Sequence, residues 1–142
     1  MKNQDNLRYF KKNEFLKDPG KLHPDIMPLM DELRHLAGIP IYIHVAWNNG
    51  TGHSKNSYHY KGMAVDFHFK QGILSPVEQF SCIRSLPTFH GIGFYPWWNS
   101  PGWHLDIRKD PDLLCWLSHG PKTYCYGVET LIHYLLDPSP GS

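Results

Sequence analysis

The sequence predicts an α+β domain in which helices pack on a small antiparallel sheet. Three observations lead there. Ile26, Leu29, Met30, Leu33 and Leu36 recur at helical spacing, so one apolar stripe faces a core. Short β-branched and aromatic runs at 40–46, 63–69, 91–95 and 103–107 read as strands, and the last two are close enough to form a hairpin. Helices and strands alternate without the glycine-rich turns of a doubly wound parallel sheet.

In chain order, residues 6–24 mix charged and aromatic residues around Phe10, Phe15 and Leu16, an arm for packing onto the domain. Asp18-Pro19-Gly20 marks a turn within it. His23-Pro24-Asp25 opens the first helix. Pro28 falls in its first turn, where a missing N–H costs little, and Gly38 stops it. A polar loop is expected over 48–56. Ser75-Pro76-Val77-Glu78 carries a helix start: a capping serine, proline at the first helical position and a glutamate completing the capping box. Val77, Phe80 and Ile83 form its buried side. Residues 112–118 and 127–136 are apolar enough for two short helices. The chain reads as one domain over 1–142, with its core at about 9–136 and a frayed tail over 137–142.

Composition narrows the function classes. The 142 residues are 41% hydrophobic and 19% charged, which suits a globular chain, and the net charge is +1. The basic clusters in the sequence are short, such as Lys11-Lys12, so nucleic acid and anionic membrane, which need a concentrated basic surface, are not expected partners. No run of about 18 apolar residues occurs, so no membrane insertion is expected. The first residues lack the apolar stretch of a secretory signal. A soluble protein is expected, in the cell envelope if a leader was removed and in the cytoplasm if phage-derived. Cys82, Cys115 and Cys125 have no CxxC spacing, which argues against a thiolate metal site. A Cys115–Cys125 bridge is an open alternative to buried thiols.

Chemistry concentrates in three segments: Ser57-Tyr-His59-Tyr-Lys-Gly62-Met-Ala64-Val-Asp66, Gly91-Ile-Gly93-Phe-Tyr95-Pro, and Trp103-His104-Leu-Asp106-Ile-Arg108. A catalytic zinc needs three imidazole or carboxylate ligands and one open position. His59 falls in a loop and Asp66 in a strand, and Gly62 permits the return that brings them together. His104 lies on the neighbouring hairpin strand. Alternation puts Asp66 with His68, and His104 with Asp106, on one face. The result is a ring of metal-type donors whose two imidazoles and one carboxylate suit a hydrolytic rather than a structural site. His23, His35, His90, His119 and His133 read as ordinary hydrogen-bonded histidines.

The pattern S-x-H-x-x-G-x-A-x-D, followed by G-x-G-x-Y-P and H-x-D, resembles the zinc D-Ala-D-Ala carboxypeptidase family. That family includes murein endopeptidases and phage endolysin peptidases and shares its fold with hedgehog signalling domains. The resemblance spans roughly residues 9–108 and is nearest to the short, single-domain bacterial and phage branch. It implies one zinc ion held by His59, Asp66 and His104, with Ser57 orienting the loop or the substrate. It also implies an antiparallel sheet carrying the metal, and peptidoglycan stem peptides as substrate and partner.

Two departures shape the expected activity. Where many members carry an acidic general base, three residues before the last histidine, this chain has Pro101. Asp106 is then the nearest carboxylate, either as base or as the group orienting a zinc histidine. His53 and His68 are the other proton-handling candidates. Where relatives carry an arginine for the substrate carboxylate, this chain has Val45-Ala46-Trp47-Asn48. Endopeptidase action therefore fits better than carboxypeptidase action. Tyr95, Trp97, Trp98 and Arg108 are candidate substrate contacts, the aromatics by stacking and Arg108 by meeting a carboxylate. Two further readings stand beside this one: a zinc-containing peptidoglycan-binding domain without catalysis, and a zinc hydrolase of small non-murein peptides.

Overall fold

A computed structural model describes residues 7–48 and 57–138. The described residues form a mixed α+β structure of three α-helices and one six-stranded sheet. The helices are α1 (Ile26–Ala37), α2 (Pro76–Arg84) and α3 (Val128–Leu136). The strands are β1 (Ile41–Val45), β2 (Ala64–Phe69), β3 (Gly91–Tyr95), β4 (Gly102–Asp106), β5 (Leu114–Gly120) and β6 (Thr123–Tyr126), in the sheet order β1-β2-β4-β3-β5-β6.

Local sequence explains the element ends. Gly38 ends α1 in the left-handed conformation at φ 70°, and its N–H donates to the Arg34 carbonyl. Ser75 and Glu78 form the expected capping box on α2, with Pro76 at its first position. On α1, Ile26, Leu29, Met30 and Leu33 are buried, but Leu36, expected on the same stripe, is exposed in the last turn. The arm before α1 forms two short 3-10 turns, Lys12–Phe15 and Pro19–Lys21. Phe10 and Phe15 are buried while Leu16 is exposed.

The two sheet faces differ in kind. Val65, Phe67, Phe69, Ile92, Phe94, Trp103, Leu105, Cys115 and Leu117 alternate onto one face and join the apolar sides of the helices in a single core. The buried Trp103 indole donates to Gln79 Oε1 at 2.8 Å, so that face leaves no indole N–H unsatisfied there. The opposite face carries Asp66, His68, Gly91, Gly93, Tyr95, His104, Asp106, Trp116 and Ser118.

Two expectations need correction. Residues 112–118 do not form a helix; 114–120 form β5. An apolar run of seven residues is too short to settle its period by composition, and here Cys115 and Leu117 point to the core while Trp116 points away, a period of two. The sheet is also not wholly antiparallel, because β5 runs parallel to β3. The cysteines are free thiols, so no Cys115–Cys125 bridge forms. Of the described helices none is long and apolar enough to cross a membrane.

Candidate metal centre

Strand register sets two of the three expected ligands opposite one another. Asp66 on β2 pairs with His104 on β4, and His104 pairs on its other side with Gly93 of β3. His59 arrives from the turn before β2. Its N–H donates to Ser57 Oγ at 3.2 Å, and the Met63 N–H closes the turn onto the Tyr58 carbonyl at 3.0 Å. Gly62 makes the return at φ +68°, where a Cβ would lie 2.3 Å from the Lys21 carbonyl oxygen. Any side chain there meets both backbone strain and a backbone clash.

The three donors are nearly buried, and their ligand atoms all lie within 4.8 Å of one another. His59 Nε2 and His104 Nδ1 stand 3.1 and 2.9 Å from Asp66 Oδ1. Donors around a tetrahedral ion with bonds of about 2.0–2.1 Å sit about 3.3 Å apart, a separation that the two spacings from Asp66 approach. Proton accounting makes the same point. His59 Nδ1 is 2.9 Å from the Ala46 carbonyl oxygen, and His104 Nε2 is 2.8 Å from Asp106 Oδ2. Both partners only accept, so each ring's proton belongs on that outer nitrogen. In the neutral imidazoles, Nε2 of His59 and Nδ1 of His104 then turn lone pairs toward a carboxylate oxygen. A cation at the centre resolves that conflict, and the outer bonds fix the ring tautomers for it.

Without a cation, protons must take its place. Burial disfavours a charged His104, but hydrogen bonds to Asp106 and Asp66 outweigh it and push His104 up to about 9. Burial likewise works against the Asp66 carboxylate, and its two histidine partners hold its pKa far below the usual range. The group could hold a metal ion, and the donor set by itself does not identify which.

A support layer stands behind the ligands. Asp106 is fully buried. Its Oδ1 accepts from Arg108 Nε at 2.7 Å, and its Oδ2 accepts from Arg108 Nη2 at 2.7 Å besides facing His104. Despite burial, Arg108 and His104 hold the Asp106 carboxyl well below its ordinary pKa. A Cβ at Gly91 would lie 2.3 Å from Asp106 Oδ1, and one at Gly93 would lie 2.3 Å from the Trp116 indole. The two glycines of the Gly-Ile-Gly segment thus make room for a carboxylate and for an aromatic ring.

The donors lie at the floor of a cavity of about 1150 Å³, which Ser57, Tyr95, Trp97, Trp98 and Arg108 also line. Arg108 is there, but its guanidinium is committed to Asp106 rather than open to a substrate carboxylate. Expected as a proton-handling group, His68 is not among the residues that line the cavity and shares a hydrogen bond with His44, between its Nδ1 and His44 Nε2 at 2.5 Å. His53 lies outside the described residues.

Sequence reasoning missed His44 and the far wall. His44 lines the cavity and occupies a register break in β1: Ile43 pairs with Phe67 and Val45 with Asp66, so His44 is the extra residue. Such bulges re-aim a side chain, and nothing in an Ile-Tyr-Ile-His-Val run announces one. Trp116, Lys122, Tyr124 and Tyr126 build the far wall from β5, β6 and their turn. The period-two reading of 114–118 could have found Trp116. Comparison of the chain with family models, curated proteins and solved structures finds no match.

Proposed function

We propose that this chain is a zinc-dependent peptidase acting on the stem or cross-link peptides of peptidoglycan, as an endopeptidase, with one zinc held by His59, Asp66 and His104. One observation carries the metal reading: two imidazoles and a carboxylate direct lone pairs toward one point in an open cavity, while the other nitrogen of each ring is held from behind. Three such ligands leave a position for water and substrate. Peptidoglycan as substrate, and a hedgehog-type peptidase fold, rest on the resemblance of the three motifs.

Zinc held there would supply Lewis acidity, bringing the pKa of water toward neutrality and polarising the scissile carbonyl. The protein's own groups divide the remaining work. Asp106, sealed from the cavity and bonded on both oxygens, orients His104 and is not the base. His44 lines the cavity and is backed by His68, which supports it as the group that takes the water proton and returns it to the leaving amine. A second cavity of about 450 Å³ shares His44, Trp97 and Trp98 with the first and continues to Asn99 and Ser100. The second cavity lengthens the cleft beyond His44, and a longer cleft suits a substrate longer than a terminal dipeptide, which supports endopeptidase action.

The test combines metal analysis with mass spectrometry of digested muropeptides. Expected results are close to one zinc per chain and internal cleavage of cross-linked peptides that a chelator abolishes. Zinc retained with no cleavage would favour the non-catalytic binding domain. Release of the terminal residue alone would make it a carboxypeptidase, and cleavage of free dipeptides alone would remove peptidoglycan as substrate.

A further inference from the structure

Tyr95 and Trp116 form a pair that metal binding alone does not require. Gly93 stands opposite His104 in the β3–β4 register and opposite Trp116 in the β3–β5 register. Because Gly93 has no Cβ, the Trp116 indole lies over β3 with its ring centroid 5.3 Å from that of His104. From there its Nε1–H donates to Tyr95 Oη at 3.0 Å. An indole nitrogen only donates, so this bond occupies a lone pair of the phenol and leaves the phenol's own proton unused. Among the described residues no acceptor takes that proton.

The phenol borders the cavity of the candidate metal centre. Tyr95 is two residues along β3 from Gly93, on the same face, about 6–7 Å from the position opposite His104. It lines the cavity that holds the three donors. Its ring stacks on Trp98 with centroids 4.4 Å apart and planes 14° apart, which fixes the ring plane. Burial, the largest influence, raises the phenol's pKa above its usual value, so the hydroxyl keeps its proton at neutral pH.

We infer that Tyr95 Oη donates a hydrogen bond to the carbonyl oxygen of the bond being hydrolysed, a role that rests on the peptidase reading above. Water oxygen adds to the carbonyl carbon, and the π pair of the C=O bond moves onto the carbonyl oxygen. The Tyr95 hydrogen bond strengthens as this charge develops, without transfer of the phenolic proton. Collapse re-forms C=O and breaks the C–N bond, and the proton lost by water ends on the leaving amine. Trp116 acts through Tyr95 as a positioning residue, because its N–H fixes which way the hydroxyl points.

The experiment uses the full chain loaded with zinc, a cross-linked muropeptide substrate, and a phosphinate peptide that mimics the tetrahedral state. Tyr95→Phe should lower kcat about 10²- to 10³-fold with KM, zinc content and thermal midpoint unchanged. It should weaken phosphinate binding, measured by calorimetry, by a similar factor. Trp116→Phe should lower kcat less, and should have no further effect in the Tyr95→Phe background. Tyr95→Phe with the kcat and phosphinate affinity of an active wild type overturns the Tyr95 role alone. A wild type that holds zinc but neither cleaves the muropeptide nor binds the phosphinate overturns the peptidase reading and this role with it.

Discussion

Two buried aspartates, Asp31 and Asp66, show opposite ways of hiding a carboxylate. Asp31 on α1 accepts backbone N–H groups from Arg8 at 3.0 Å, Tyr9 at 2.8 Å and Phe10 at 3.1 Å, with the Arg8 guanidinium nearby at 3.7 Å. Every partner is a donor, so that carboxylate is complete within the protein and pins the N-terminal arm. Asp66 faces two ring nitrogens whose protons belong on the far side of each ring. Burial without donors is costly unless a cation or added protons complete the group. The satisfied carboxylate marks structure, and the incomplete one marks the place for a ligand.

The sharpest break of this contrast is a crossed pair of measurements. His59→Ala, Asp66→Ala and His104→Ala should each reduce zinc content from about one per chain toward zero. Asp31→Ala should leave zinc content unchanged and instead lower stability by about 1–3 kcal/mol, since three backbone donors lose their acceptor. Inductively coupled plasma analysis and urea unfolding read the two effects separately. Full zinc retention by all three site variants would sink the metal assignment. His23→Ala and His133→Ala serve as histidine controls and should keep their zinc.

A smaller effect is expected one step behind the ligands. Asp106→Asn keeps the shape of the side chain but weakens its hold on the His104 ring and on Arg108. Zinc affinity should fall about 10- to 100-fold, with cleavage restored by excess zinc. If Asp106 were the base, zinc affinity would stay unchanged and excess zinc would restore nothing. A chelator competition titration separates the two outcomes.

How much of this was legible in the sequence depends on the range over which each signal acts. Local signals came through: the capping box at Ser75 and Glu78, the Gly38 stop, and the strand runs around Asp66 and His104 all correspond to observed elements. The grouping of His59, Asp66 and His104 was also legible, but through the motif pattern: a short turn joins His59 to Asp66, whereas His104 reaches them only through the long-range β2–β4 pairing. What required tertiary context was lost. The β5 run was too short to distinguish from a helix, and its parallel pairing with β3 depends on residues more than twenty positions away. His44 owes its aim to a bulge, a property of the β1–β2 pairing rather than of β1. The burial of Asp106 is likewise set by Gly91 on another strand and by the reach of Arg108.

The finest test of the contrast is the pH dependence of the Asp31 clamp. Burial works to raise its pKa, yet the N–H groups of Arg8, Tyr9 and Phe10, with the Arg8 charge, leave it below the ordinary value. A carboxyl whose folded pKa is depressed contributes stability that is fully present above its unfolded pKa of about 3.9. That stability is lost as pH falls from there through the lower folded value, because the unfolded chain takes up the proton first. The wild type should therefore exceed Asp31→Asn in unfolding free energy by a gap that is widest near pH 6 and narrows below about pH 4. Other acidic groups titrate in both proteins and cancel in the difference. Asn keeps one acceptor oxygen, so the gap should be smaller than the loss in Asp31→Ala. Urea unfolding of both proteins in steps from pH 6 to pH 3 measures it. A gap that stays constant across that range would mean that the charge of Asp31 contributes nothing to anchoring the arm, and the comparison with Asp66 would reduce to hydrogen-bond geometry alone.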